Sequence, residues 1–305
     1  PRHGVQRLRA RKSVTFTTRF APSPTGPLHL GHAYSAILAH DMARAAGGRF
    51  LLRIEDIDTT RARPEWEQAI YDDLMWLGLT WDAPPIRQSD RIPAYQDALR
   101  TLWDMQLLYP CTCTRKDILS ALDAPQEGGT PALGPDGLIY PGTCRGAPRT
   151  GVFPTGATLR LDMDAALEQT GKDTLGFTET GTPTSNSPQT VLYKTEALLN
   201  NLGDIVLSRR DFVGSYHLSV VLDDAALEIT HVIRGADLFD ATQIHVVLQN
   251  LLQLPTPTYH HHTLFRDDAG KRLAKRDDAR AIAKYRAEGA TPGDIRAMVG
   301  LLSLS

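Results

Sequence analysis

The chain has 305 residues, of which 42% are hydrophobic and 22% charged, with a formal net charge of −2 at pH 7. That is enough apolar material for a sizeable core in one large domain or two smaller ones. The near balance of charge excludes a global electrostatic pull on nucleic acid. No apolar run reaches membrane-spanning length, and three cysteines are too few for a disulfide framework. A cytoplasmic protein without a membrane partner is therefore expected.

Residues 1–13 form a basic arm. The stretch "PRHGVQRLRARK" holds five Arg or Lys and no acid. It lacks the apolar core of a signal peptide and reads as a solvated arm. "SVTFTTRF" alternates and is β-branched, which predicts a strand. Residues 32–46 carry a helical pattern closed by Gly47 and Gly48. "RFLLRIEDID" is an apolar run ending in charge, as in a buried parallel strand. Pro64 opens the next helix, with Trp66, Ile70, Leu74 and Leu77 as its apolar stripe. Residues 92–107 give another helix. Strand and helix alternate in this order in a right-handed parallel α/β unit, here spanning residues 14–108.

The texture changes at Tyr109. Residues 109–190 are rich in Gly, Pro and Thr, and "DAPQEGGTPALGPDG" and "ETGTPTSNSPQT" read as loops. This stretch is expected to be an insertion. The second half of the α/β fold is assigned to residues 191–265. It has strand patterns in "DIVLSR", "EITHVIR" and "TYHHHTLF", and helical ones near 215–222 and 241–252. Residues 266–305 begin with a charged glycine-containing loop and end in two short helical segments. Adjacent side chains in a strand point to opposite faces, so the triple histidine 260–262 reads as a strand feature, not a metal site.

The stretch "RFAPSPTGPLHLGH" places His29 and His32 around Leu30 and Gly31, where loop becomes helix. First-turn N–H groups of a helix lack internal partners and attract anions. A glycine there lets a phosphate or base approach the backbone, and the imidazoles add donors. The site follows the first strand, where open parallel sheets bind ligands. ATP is the obvious candidate, although H-x-x-H also suits a metal pair on a helix face. Far downstream, "GKRLAKR" could be a solvated basic loop. That is the commoner reading of a charge run, but such a loop could also close Lys275 and Arg276 over a triphosphate.

The stretches "HLGH" and "RLAKR" resemble the two signature motifs of class I aminoacyl-tRNA synthetases. "RFAPSPTGPLHLGH", "RIEDID", "YHLSVVLDD" and "HVIRGADL" resemble segments of the glutamyl branch, in family order. The likeness runs from Thr18 to Arg276 and is weakest in the insertion. It implies an α/β, Rossmann-type parallel-sheet catalytic domain with an inserted zinc-containing subdomain and a short C-terminal helical extension. Only 29 residues follow Arg276, so no anticodon-binding domain is expected, as in the truncated glutamyl-Q branch.

The resemblance implies residue roles. His29, Gly31, His32 and Lys275 would hold ATP, which Mg²⁺ accompanies, and His29, His32 and Lys275 would be catalytic. Arg19 and Arg234 would take the carboxylate charge of L-glutamate, as guanidinium pairs with carboxylate in a bidentate way. Glu55 would receive its ammonium group, with Ala21, Ser23 and Tyr216 lining the pocket. A structural ion pair for Arg234 and a strand-end charge for Glu55 are the alternatives. The second motif departs from the family: Arg272 stands for the usual first lysine and Ala274 for the usual serine, which puts loop closure in doubt. The implied partner is the anticodon stem-loop of tRNA(Asp) bearing queuosine, and a monomer is expected. Rival readings are a minimal enzyme charging an acceptor end and an inactive RNA-binding paralogue.

Cys111 and Cys113 form C-x-C, and Cys144 ends "YPGTC". Clustered cysteines in a cytosolic chain point to metal more than to disulfide, and Zn²⁺ takes four tetrahedral ligands. Only three thiols exist. Tyr140 could simply be an aromatic packing residue, but C-x-C…Y-x-x-x-C resembles the structural zinc site of the glutamyl-Q branch, with Tyr140 as fourth ligand.

Overall fold

The computed structural model of the chain describes residues 15–122, 132–181, 187–264 and 280–301. The first half follows the expected alternation: β1 (Thr17–Phe20), α1 (Leu30–Ala45), β2 (Arg49–Ile54), α2 (Pro64–Trp76), β3 (Ile86–Arg87) and α3 (Ile92–Asp104). Pro64 begins α2, where its missing N–H costs nothing. Ile70, Leu74 and Leu77 are buried as the stripe requires, whereas Trp66 is only half-buried. After α1, Gly47 adopts φ +61°, the left-handed conformation that ends a helix.

The chain continues through β4 (Leu108–Cys111), α4 (Arg115–Leu122), a hairpin of β5 (Leu133–Gly134) and β6 (Gly137–Leu138), β7 (Thr158–Leu161), α5 (Met163–Thr170), β8 (Thr174–Glu179) and β9 (Gln189–Lys194). It then forms α6 (Thr195–Leu202), β10 (Val206–Ser208), α7 (Tyr216–Ala226), β11 (His231–Gly235), α8 (Thr242–Leu251), β12 (Thr258–His262), α9 (Ile282–Ala287) and α10 (Pro292–Met298). Residues 158–179, grouped by composition with the insertion, are thus a regular strand, helix and strand. Moreover β8 pairs in parallel with β12, so part of that stretch belongs to the same sheet as β11 and β12. A strand that has gained a sheet partner buries alternate residues, here Leu175, Phe177 and Glu179.

β1, β2 and β3 form one parallel sheet, and β11 and β12 pair in parallel in another. Their edges meet where Thr230 donates its N–H to the Thr17 carbonyl at 2.9 Å and Thr17 donates to Thr230 Oγ1 at 2.8 Å. The carboxyl ends of β1, β2, β11 and β12 consequently open on one side. The two closing helices return to the first half, burying Ile282, Ile295 and Val299 against α1 and α2. No helix among the described residues is long and apolar enough to cross a membrane.

Two adjacent acids on α7 tie these parts together. Asp223 accepts from Tyr95 Oη at 2.8 Å, Gln88 Nε2 at 3.1 Å and Arg91 Nε at 3.2 Å, fixing α3. Asp224 accepts from Arg19 Nε at 2.9 Å and Arg53 Nη1 at 2.5 Å, fixing the ends of β1 and β2. Burial alone would raise the Asp224 carboxyl, but the two guanidiniums outweigh it and hold it below the ordinary carboxylate range. Removing one partner of a buried ion pair costs about 3–5 kcal/mol, so Asp224→Asn should lower unfolding stability by about that amount in chemical denaturation. A carboxylate held low in the fold stabilises fully above its unfolded-chain pKa near about 4, and that stabilisation is lost as pH falls through the folded value. The acid limb of the stability curve should therefore be shallower in Asp224→Asn than in wild type.

Candidate active site

A cavity of about 570 Å³ opens at those strand ends. Eight of the predicted residues line it: Arg19, Ala21, His29, Gly31, His32, Glu55, Tyr216 and Arg234. Ser23 lines an adjoining cavity that shares Glu55 and Tyr216 with the first. Lys275, with Arg272, Ala274 and Arg276, lies outside the described residues. The described residues on either side of that segment are at the same place: Leu264 lines the cavity, and Ala281 bridges to His29 while Ile282 donates its N–H to the Leu28 carbonyl at 2.9 Å.

The helix begins earlier than the residue pattern predicts. His29 is the N-cap of α1, and its Nδ1 accepts the Gly31 N–H at 3.1 Å. His32 Nδ1 accepts the His29 N–H at 3.2 Å, which completes a reciprocal capping box built from two imidazoles. A neutral imidazole that accepts at Nδ1 carries its proton on Nε2. Each ring is thereby set as an Nε2–H donor, and the two lie against each other at a tilt of 33° with centroids 3.8 Å apart. Gly31 has a tighter reason to lack a side chain than ligand approach: a Cβ there would sit 3.1 Å from His29 Cε1 and 3.2 Å from its Nδ1.

The opposite wall carries charge. Arg19 uses Nε on Asp224, and among the described residues its terminal nitrogens make no hydrogen bond. Glu55 accepts from Arg53 Nη2 at 3.0 Å; burial pushes its carboxyl up against the pull of Arg53. Arg234 is buried yet has no carboxylate within ion-pair distance among the described residues. Its Nε donates to His261 Nε2 at 3.1 Å, Nη1 to His245 Nδ1 at 3.2 Å, and Nη2 to the Leu238 carbonyl at 3.1 Å and Thr242 Oγ1 at 2.7 Å. The structural ion pair considered for Arg234 is thus not formed within those residues.

The triple histidine is more than a strand feature. His260 contacts Thr180 Oγ1 at 3.0 Å on one face of β12. His261, on the other face, links Arg234 to the fully buried Glu179, whose Oε2 lies 2.5 Å from His261 Nδ1. His262 lines the cavity, with Nε2 2.8 Å from Ser35 Oγ. The alternation of the strand was the available signal; what it could not give was which face meets the cavity.

A family model described as "tRNA synthetases class I (E and Q), catalytic domain" matches residues 15–132 and 156–305. The chain is 63% identical over 286 residues to a glutamyl-Q tRNA(Asp) synthetase of Rhodobacter capsulatus, covering 93% of this chain and 99% of the relative. It is 38% identical over 303 residues to one of Symbiobacterium thermophilum, covering 93% of this chain and 85% of the relative. The chain belongs to the glutamyl-Q tRNA(Asp) synthetase family. Among solved structures it resembles a glutamate-tRNA synthetase from Elizabethkingia anophelis with TM-score 0.71 and 25% identity, over 95% of this chain and 62% of that one. Membership of the class I synthetases implies ATP use.

The class I match omits residues 133–155, which hold Tyr140 and Cys144. The Sγ atoms of Cys111, Cys113 and Cys144 lie within 4.8 Å of one another, and Cys113 is 3.5 Å from Cys144. Tyr140 Oη lies 3.5 Å from Cys111 Sγ and 3.2 Å from Cys113 Sγ. Zn–S bonds of about 2.3 Å in a tetrahedron put sulfurs about 3.8 Å apart, so the spacing fits a metal. Burial would raise the Cys144 thiol, but hydrogen bonds from Tyr140 and the Thr112 backbone bring it down to about 6, toward the thiolate a metal needs. Arg160 Nε donates to Cys111 Sγ at 3.3 Å and its guanidinium stacks 3.8 Å from the Tyr140 ring.

Gly31→Ala should displace the His29 ring and weaken the cap. Loss of an N-cap costs about 1 kcal/mol and Gly→Ala within a helix gains about as much, so thermal unfolding should change little while ATP binding measured by calorimetry weakens.

Proposed function

We propose that this cavity binds ATP and L-glutamate side by side and forms glutamyl-adenylate without tRNA. The glutamate then passes to the queuosine base in the anticodon loop of tRNA(Asp), as the names of the relatives imply. The observation that carries the glutamate reading is the buried guanidinium of Arg234, held by neutral imidazole, hydroxyl and carbonyl groups and lacking a carboxylate among the described residues. A buried cation of that kind favours an anionic ligand. Arg19 offers a second fork, and Glu55 an oxygen for the ammonium group, whose arrival favours the charged carboxylate.

The α-carboxylate oxygen bonds to the α-phosphorus of ATP as the bridging P–O bond to the β-phosphate breaks, and pyrophosphate leaves with the electron pair. Such transfers depend on positioning and electrostatics. The Nε2–H groups of His29 and His32 supply donors to the phosphates, because their Nδ1 atoms are occupied by backbone N–H groups. Lys275 neutralises charge on the leaving side. Ala21, Ser23 and Tyr216 shape the amino-acid pocket.

Glutamate-dependent ATP–pyrophosphate exchange in the absence of tRNA tests the activation step, and its absence would favour the inactive RNA-binding reading. Transfer to queuosine-containing but not queuosine-free tRNA(Asp) separates the proposal from a minimal enzyme charging an acceptor end. Glutamate and glutamine differ little in shape, so charge must separate them. One charge-assisted contact is worth about 1.5–3 kcal/mol, or about 10- to 150-fold. Arg234→Gln should lose glutamate activation by about that factor and narrow the gap to glutamine while ATP affinity holds; unchanged discrimination would rule out this role.

We also propose one structural Zn²⁺ per chain on Cys111, Cys113, Cys144 and Tyr140. The surrounding apolar cluster is small, with Tyr109, Cys111 and Tyr140 as its buried members, so a metal crosslink would add what hydrophobic burial there cannot. Metal analysis of reduced, zinc-reconstituted protein should give one equivalent. Cys144→Ser should lower that content and increase proteolysis within residues 132–155, with little change in ATP binding.

A further inference from the structure

We infer that Asp136, in the turn between β5 and β6, positions Arg234 through a two-histidine relay and so couples the cysteine-bearing segment to the amino-acid pocket. The inference rests on the glutamate reading above. A guanidinium has only donors, so Arg234 Nη1, 3.2 Å from His245 Nδ1, makes that nitrogen an acceptor. The His245 proton then sits on Nε2 and is donated to His217 Nδ1 at 3.2 Å. The His217 proton in turn sits on its Nε2, 3.4 Å from Asp136 Oδ1. Every link runs the same way, from cation to carboxylate, and hydrogen bonds in series polarise one another.

Both imidazoles are buried, at 6% exposure for His217 and 1% for His245, while the Asp136 side chain is 49% exposed. The carboxylate can therefore be changed without opening the core. Nε and Nη2 of Arg234 have other anchors in His261, Leu238 and Thr242. The relay governs the remaining terminal nitrogen, Nη1, and with it the aim of the fork. Asp136 stands four residues before Tyr140 in the chain, so order in the cysteine cluster reaches the pocket through this turn.

The test is a double-mutant cycle in ATP–pyrophosphate exchange with Asp136→Ala and His217→Gln. Each single variant should raise the glutamate KM roughly three- to tenfold, the size of one ordinary hydrogen bond, because the bond from Arg234 to His245 itself remains, with the ATP KM unchanged. The double variant should match the worse single one, because both cut the same relay. Asp136→Asn, which keeps an acceptor oxygen, should recover part of the loss. Additive effects, an unchanged glutamate KM in Asp136→Ala, or an equal rise in the ATP KM would overturn the relay. Imidazole ¹⁵N NMR supplies a readout free of activity: His217 and His245 should both be Nε2–H tautomers in wild type, and His217 should become mixed in Asp136→Ala. Tautomers unchanged by that substitution would sink the relay on their own. Wild-type protein without glutamate-dependent exchange would instead sink the glutamate reading.

Discussion

The carboxylate of Asp224, buried between Arg19 and Arg53, is the interaction on which the site depends. One oxygen receives both guanidiniums, so α7 fixes the ends of β1 and β2 relative to each other. Arg53 is completely buried, and a lone cation there would be severely penalised. Because it divides its donors between Asp224 and Glu55, the same residue that closes the core also holds the Glu55 carboxylate at the wall of the cavity. Arg19 keeps its terminal nitrogens for the cavity only because its Nε is taken. Fold and pocket are stabilised by one set of contacts.

Arg234 follows a different logic. Its nearest partners are neutral, and two of them are imidazoles held as acceptors. Burial and the adjacent guanidinium push the His245 imidazole well below its ordinary value, which keeps it neutral beside the cation. For Glu179, burial would raise the carboxyl, but hydrogen bonds from His261 and the backbone hold it low. It steadies Arg234 at one remove, without neutralising it by direct contact. A guanidinium oriented through intermediaries retains more attraction for an arriving carboxylate than one in direct ion pairing.

The helix mouth shows the same economy of parts. His29 and His32 satisfy first-turn N–H groups through Nδ1, and that use dictates where their protons lie. Capping through Nδ1 is therefore compatible with the phosphate recognition proposed for the same rings, because the two nitrogens are chemically distinct. Gly31 permits this by leaving room for the His29 ring.

Much was legible in the sequence because it is local. Periodicity and Pro64 gave α2, the proline–glycine loop gave the mouth of α1, and the resemblance of short segments to synthetase motifs gave eight residues that converge on one cavity. Other features were not legible, because they join residues far apart in the chain. Arg19 meets Asp224 across 205 positions and His261 meets Glu179 across 82; no spacing rule encodes either. Likewise the composition of residues 109–190 hid β8, whose place beside β12 is a matter of pairing with a distant strand. The sequence by itself determined which groups carry charge, donate and accept. Only the tertiary structure decided which charges are neutralised and which remain for a ligand, since neutralisation depends on distances between elements that local pattern does not contain.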